Sequence, residues 1–204
     1  IPAFAAHNTG DPEIIERFGD KPGCWLATQP DRGSDVVDME ASEVAPGTTQ
    51  NRGNILCRIE GDEVVVSGQS SAWVSYAPLA ETALADLPCD YGNGVIHESE
   101  RGLNHIALFI PLDAPGVTRG KPLDKMGQRA LPQGEIFFNE VRIPRKYVLA
   151  EQEAATISFI STLTFANMEM AATITGVARA AFNLTLAYVH ERNAGATTII
   201  NHQS

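Results

Sequence analysis

The sequence predicts an α+β fold: an antiparallel β-barrel or sandwich in the middle, flanked by a short N-terminal helix and a long C-terminal helix. Three observations carry that prediction. Residues 23–149 break into short β-rich runs punctuated by Gly, Pro, Asp and Asn, the texture of an antiparallel β-domain. Phe159, Leu163, Ala166, Met170, Ile174, Val177, Ala181, Leu184 and Tyr188 recur at spacings of three and four, which marks one face of a long helix. Near the start, Asp11 can cap a helix with Pro12 at its first position, and Gly19 supplies a stop.

Each element follows in order. Residues 12–18 form the leading helix, the tail of something larger. Residues 55–60 alternate in polarity, Gly61-Asp62 makes a turn, and residues 64–67 return, the strongest hairpin signal in the chain. Residues 72–76, 105–111 and 135–143 are further strands. A helix over residues 154–193 closes the sequence, and the Ala, Ser, Thr and Gly176 around its wheel imply close neighbours on more than one side. A helix of that length after a β-domain needs partners, so the chain is expected to be a fragment. The expected domains are 1–20, the tail of a helical domain; 21–150, the β-domain; and 151–204, the first helix of a further helical domain.

Composition narrows the function. With 44% hydrophobic and 20% charged residues over 204 positions, the chain reads as an ordinary globular protein. A formal net charge of -10 argues against a nucleic-acid binder, which depends on clustered Lys and Arg. Cys24, Cys57 and Cys89 form no CxxC pair and read as reduced thiols. No basic N-terminal region with a following apolar run is visible, so a cytoplasmic location is expected. The Lys- and Arg-free stretch from Ile157 is interrupted by Ser, Thr, Asn167 and Glu169, which argues against membrane insertion. The five histidines, His7, His97, His105, His190 and His202, show no HxxxH spacing, so no metal site is expected. Ser34 sits in Gly-Ser-Asp rather than in a nucleophile elbow, which disfavours a serine hydrolase. The acidic stretch 98–100 reads as a solvated loop.

The segment richest in chemistry is Trp25-Leu26-Ala27-Thr28-Gln29-Pro30-Asp31-Arg32-Gly33-Ser34-Asp35, where an apolar strand runs into a tight turn with small polar side chains. Such a turn presents backbone N–H groups and a hydroxyl, and Trp25 adds flat apolar surface, the combination that a flavin ring needs. On spacing alone, a loop in which Ser34 or Asp35 merely caps a turn is the favoured reading, because such caps are common.

That segment resembles the "TEP-x-x-GSD" motif of the acyl-CoA dehydrogenases, with Gln29 replacing the usual Glu. Three more stretches match in order. Gly68-Gln69 with Ala72-Trp73-Val74-Ser75 is similar to "NGxKxWIT", with one residue inserted and no Lys. Lys125-Met126-Gly127-Gln128-Arg129 and Phe137-Phe138-Asn139-Glu140-Val141-Arg142-Ile143-Pro144 resemble "KxGxR" and "F-x-x-V-x-V-P". In the helix, Gly176, Tyr188, Glu191-Arg192 and Gln203 are similar to "G…Y…ER…Q".

The resemblance implies FAD as cofactor, contacted by Trp25, Ala27, Thr28, Gly33, Ser34, Trp73 and Ser75, with Ser34 also touching substrate. It implies that Arg192 and Gln203 reach the FAD of a neighbouring subunit; the plainer reading of Arg192 is a surface pair with Glu191. It implies an acyl-CoA substrate, an electron-transfer acceptor, and a homo-oligomer (dimer or tetramer) or a hetero-oligomer. The implied reaction is α,β-dehydrogenation of the acyl thioester, with hydride passing to the flavin. That reaction needs a carboxylate base, which the family carries either beyond the stretch matched here or, in a minority, at the position that aligns with Ala166, followed by an Arg where this chain has Asn167. Glu169 lies three residues past that position, about 300° round the helix at ~100° per residue. No catalytic residue is therefore assigned, and the chain alone is expected to be inactive. The alternatives are a flavin-dependent monooxygenase of the same fold, or a non-catalytic part of a hetero-oligomeric dehydrogenase.

Overall fold

The computed structural model describes residues 1–38, 53–94 and 104–202. It divides into two compact units, Ile1–Ser161 and Thr162–Ser204.

The first unit opens with α1 (Pro2–Thr9) and α2 (Pro12–Ile14), and α2 runs on as one wider π-helical turn, Ile15–Gly19. Asp11 caps α2 as expected: its Oδ1 accepts from the backbone N–H of Glu13 at 2.8 Å and of Ile14 at 3.4 Å, satisfying donors that the first turn leaves open. Helix α1 was not foreseen; it carries no Lys, Arg, Asp or Glu to mark an outer face.

Ten strands follow among the described residues of this unit: β1 (Gly23–Leu26), β2 (Leu56–Glu60), β3 (Glu63–Gln69), β4 (Val74–Ser75), β5 (Thr82–Asp90), β6 (His105–Pro111), β7 (Val117–Arg119), β8 (Gln133–Gly134), β9 (Ile136–Pro144) and β10 (Val148–Glu151). The expected hairpin forms as β2 and β3, from Leu56↔Ser67 to Glu60↔Glu63. The expected strand over 72–76 shortens to β4, which pairs only with β8.

The barrel or sandwich expectation needs correction. One eight-stranded sheet runs in the order β10-β6-β5-β2-β3-β9-β7, with β1 attached to β5. Its end strands β10 and β7 do not pair with each other, so it is an open sheet rather than a closed barrel. Nor is it purely antiparallel. The first half of β5 pairs in parallel with β1, Gly23↔Thr82 to Leu26↔Ala85, and its second half in parallel with β2, Cys57↔Cys89 and Arg58↔Asp90. Strand β6 covers the other edge of β5 along its length. Alternation decides which face a side chain takes, but not which distant strand becomes its neighbour, so closure and direction were beyond the pattern.

Strand β5 separates two cores. Ala83, Ala85, Leu87 and Cys89 face a large cluster with Leu26, Val64, Val66, Ile106, Leu108 and Ile143. Leu84 faces the other way, onto Ala6, Ile14, Phe18 and Phe109. Phe18 stacks on Phe109 at 5.0 Å and meets Tyr147 edge-on at 4.9 Å, so the helical leader is fastened to the sheet by aromatic packing.

At Gly68 the backbone has φ +125, the pairing of β3 with β9 shifts register, and a Cβ would lie 1.9 Å from the Asn54 carbonyl oxygen. Only glycine fits that bulge.

Helix α3 (Gln152–Glu191) is 40 residues long, close to the expected span. Within the first unit it contributes Ala155 and Phe159, both buried. The second unit holds the rest of the helix and a two-residue ladder, Asn193–Ala194 with Thr197–Thr198. There Met170, Ile174, Val177, Leu184 and Tyr188, members of the predicted stripe, are exposed. No helix among the described residues is long and apolar enough to cross a membrane.

Candidate flavin site

Strand β1 delivers Trp25 to one end of the site. Its ring lies 5.5 Å from that of Phe159, tilted by 41°, and its Nε1 donates to Asp86 Oδ2 at 2.6 Å. Asp86 is 5% exposed, and burial pushes its carboxyl up to about 7, opposed by the Trp25 bond.

Beyond β1 the chain turns through Ala27 and Thr28, both half-buried. Gln29 N donates to Arg32 O at 2.8 Å and Arg32 N to Gln29 O at 3.2 Å, which closes a tight turn. Gly33 and Ser34 follow on its exposed side, and Ser34 begins the 3-10 turn Ser34–Val37. Gly33 N donates to Asp35 Oδ1 at 2.7 Å. The turn-capping reading of Asp35 is therefore correct for that side chain, whereas the Ser34 hydroxyl remains exposed.

Ser71 joins this turn to the second group of candidates. Its N donates to Thr28 O at 3.0 Å, and its hydroxyl lies 2.8 Å from that of Thr28. The same Oγ accepts from Trp73 N at 3.3 Å. Gln133 fixes the far end, its Nε2 donating to Trp73 O at 3.0 Å and to Ser75 Oγ at 3.1 Å. Thr28, Trp73 and Ser75 thus belong to one hydrogen-bonded network through Ser71 and Gln133, with Trp25 and Ala27 just before it in the chain and Gly33 and Ser34 on the turn that follows. Trp73 is 64% exposed.

Arg192 lies in the second unit, exposed, one residue past α3. Its N donates to Tyr188 O and its carbonyl accepts from Ile199 N, both at 2.9 Å. Gln203, His97 and the acidic residues 98–100 lie outside the described residues. Ala166 is half-buried, and Asn167 and Glu169 are exposed.

Sequence reasoning missed Ser71, which lies inside the Gly68–Ser75 match but not at one of its matching positions, and Gln133 and Asp86, which lie outside every motif. It did single out Gln29, whose side chain has a structural task. Gln29 is 3% exposed, and its Oε1 accepts from the backbone N–H of Asn54 and, at 2.6 Å, of Ile55. One buried oxygen therefore fixes the entry to β2. A carboxylate offers the same acceptor, so Gln29 preserves the contact that a Glu there would make.

Other chemistries find little support. Cys24 and Cys89 are buried and pushed up to about 12 by desolvation, and Cys57 is shifted in the same direction, far from a reactive thiolate. Burial and the nearby Arg32 push His105 down to about 3, keeping it neutral.

No protein-family model matches the chain. Individual proteins do. A probable acyl-CoA dehydrogenase, YngJ, of Bacillus subtilis is 31% identical over 183 residues, covering 89% of this chain and 42% of that protein. The short-chain specific mitochondrial acyl-CoA dehydrogenase of Mus musculus is 29% identical over 176 residues, covering 86% of this chain and 37% of the enzyme. Among solved structures, a glutaryl-CoA dehydrogenase of Mycobacterium smegmatis in complex with FADH2 superposes with a TM-score of 0.74 at 24% identity, covering 98% of this chain and 46% of that one. The chain spans less than half the length of each.

Proposed function

Since this chain is a relative of the acyl-CoA dehydrogenases along most of its length, we propose that it is the flavin-binding part of an FAD-dependent oxidoreductase that dehydrogenates an acyl-CoA thioester. The observation that supports the proposal is the hydrogen-bonded link from Thr28 through Ser71 to Trp73, which joins two segments that lie apart in the sequence. The residues suit an isoalloxazine ring: indole faces at Trp25 and Trp73, small residues at Ala27 and Gly33, and hydroxyls at Thr28, Ser34 and Ser75. When bound, FAD supplies a hydride acceptor. The protein's part is to orient the ring and to hold the thioester against it through Ser34.

Residues 1–20, 21–150 and 151–204 serve in this proposal as the end of a helical domain, the flavin domain and the first helix of a second helical domain. Arg192 and Gln203 belong to the flavin contact of a neighbouring subunit, where a guanidinium suits a diphosphate. Ala166 occupies the one position in this stretch that aligns with a family base, and a methyl group takes no proton. The α-proton base therefore lies outside the stretch, and an electron-transfer acceptor reoxidises the flavin. The test is a visible absorption spectrum of the purified chain titrated with FAD. Perturbed flavin bands that saturate at one FAD per chain are expected, and an unperturbed free-flavin spectrum with a folded chain overturns the proposal.

A further inference from the structure

The carboxyl of Asp86 stands on β5 directly behind the flavin-site candidate Trp25. Alternation places it on the Leu84 face, in a layer of apolar residues that also carries the buried, neutral His105. Ala107 lies opposite it on β6, and the Phe159 ring packs against the Trp25 indole that it binds. An indole N–H can only donate, and Asp86 Oδ2 takes that single bond at 2.6 Å. Resting on the flavin reading above, we propose that Asp86 is a positioning residue that fixes the orientation of the Trp25 ring, and that its proton occupancy sets how firmly the ring is held.

The chemistry runs as follows. An ionised carboxylate binds an N–H about twice as strongly as a neutral acceptor does. Protonation of Asp86 leaves a weaker acceptor and frees the indole to rotate toward the site. Burial raises Asp86 to about 7, so the change falls near neutrality.

Trp25 is the one hydrogen-bond partner of the Asp86 carboxyl among the described residues. His105 on β6, opposite Pro88, shares the face of Asp86 as its diagonal neighbour, is held neutral by burial and Arg32, and makes no hydrogen bond to it. Cys24 on β1 faces the opposite core. Arg145 binds Glu151, Lys146 binds Glu13, and Arg17 binds Asp113. His7 of α1 pairs with Asp20, and Glu153 in the first turn of α3 is exposed. Burial and the Trp25 bond alone set the acid strength of Asp86.

The sequence has two tryptophans, so in a Trp73→Phe background Trp25 is the sole indole fluorophore. Its emission is expected to titrate between pH 5 and 9 with a midpoint near neutrality. In Asp86→Asn, which keeps an acceptor but cannot ionise, it is expected to stay flat. A flat parent curve, or an unchanged titration in Asp86→Asn, overturns the inference; if Asp86→Asn fails to fold, the parent curve still decides it.

FAD affinity of the otherwise unchanged chain provides the second readout. In the parent it is expected to weaken roughly fivefold between pH 8 and 6, the scale of one hydrogen bond, and in Asp86→Asn to be independent of pH. Flavin binding with identical pH profiles in both overturns the positioning role. If the parent binds no flavin, the functional reading fails, while the emission titration still decides whether Asp86 governs the indole.

Discussion

The sheet and the long helix use apolar residues in opposite ways. In the first unit all nine residues of β5 except Asp90 are buried, and β6 is buried throughout. In the second unit Met170, Ile174, Val177 and Leu184 project from the helix with more than half their surface exposed. Stability of an isolated helix comes mainly from packing of its apolar face, so the sheet unit carries its own core and the helix beyond Ser161 does not. A readable apolar stripe thus identifies a helix and its apolar face, but not what that face meets.

The largest test of that contrast is truncation. Leu87→Ala or Ile106→Ala, each emptying a fully buried position, should cost about 2–5 kcal/mol of stability. Val177→Ala or Ile174→Ala should cost less than about 0.5 kcal/mol, as exposed sites do. Chemical denaturation measures both. Equal losses would mean that the helix face is packed in the folded chain and would dissolve the contrast.

A second effect belongs to the sheet alone. Asp86 rises from 3.8 to about 7 on folding, so its stabilising contribution is full below 3.8 and is lost as pH rises through 7. His105 falls from 6.5 to about 3, so its contribution is full above 6.5 and is lost as pH drops toward 3. Between about pH 4 and 6.5 the two slopes oppose each other, each bounded at about 1.4 kcal/mol per pH unit for one proton. In Asp86→Asn the His105 slope should emerge, with stability rising with pH across that window. A variant whose slope matches the parent's would refute the assignment.

The smallest effect concerns the entry to β2. Gln29→Leu strips two backbone donors of their acceptor and should cost about 1–3 kcal/mol, whereas Gln29→Glu, which retains an oxygen, should cost less at neutral pH. Thermal unfolding of both variants compares them. A neutral Gln29→Leu would show that the hydrogen bonds at Asn54 and Ile55 do not define the sheet edge.

These elements also show where the sequence was legible. The long helix was readable because spacings of three and four persist from Phe159 to Tyr188, and the β2–β3 hairpin because alternation meets a Gly61-Asp62 turn. Strand β5 escaped notice although it borders β1, β2 and β6. Its Ala83, Ala85, Asp86 and Pro88 have low strand propensity, and burial on both faces erases alternation. The flavin candidates were found through motif likeness, yet Ser71 and Gln133, which tie their two segments together, look like any loop Ser and Gln. Asp86 reads as an ordinary charged residue until burial is known.

By itself the sequence determined the local choices: the Asp11 cap, the hairpin and the helical period. Those depend on interactions within a few residues. Only the tertiary structure decided that the sheet stays open, that β5 takes two parallel partners, that Ser71 joins the two motifs, and that Asp86 is withdrawn from water behind Trp25. Each depends on groups distant in the chain, and a one-dimensional pattern of polarity carries no record of which distant surfaces meet.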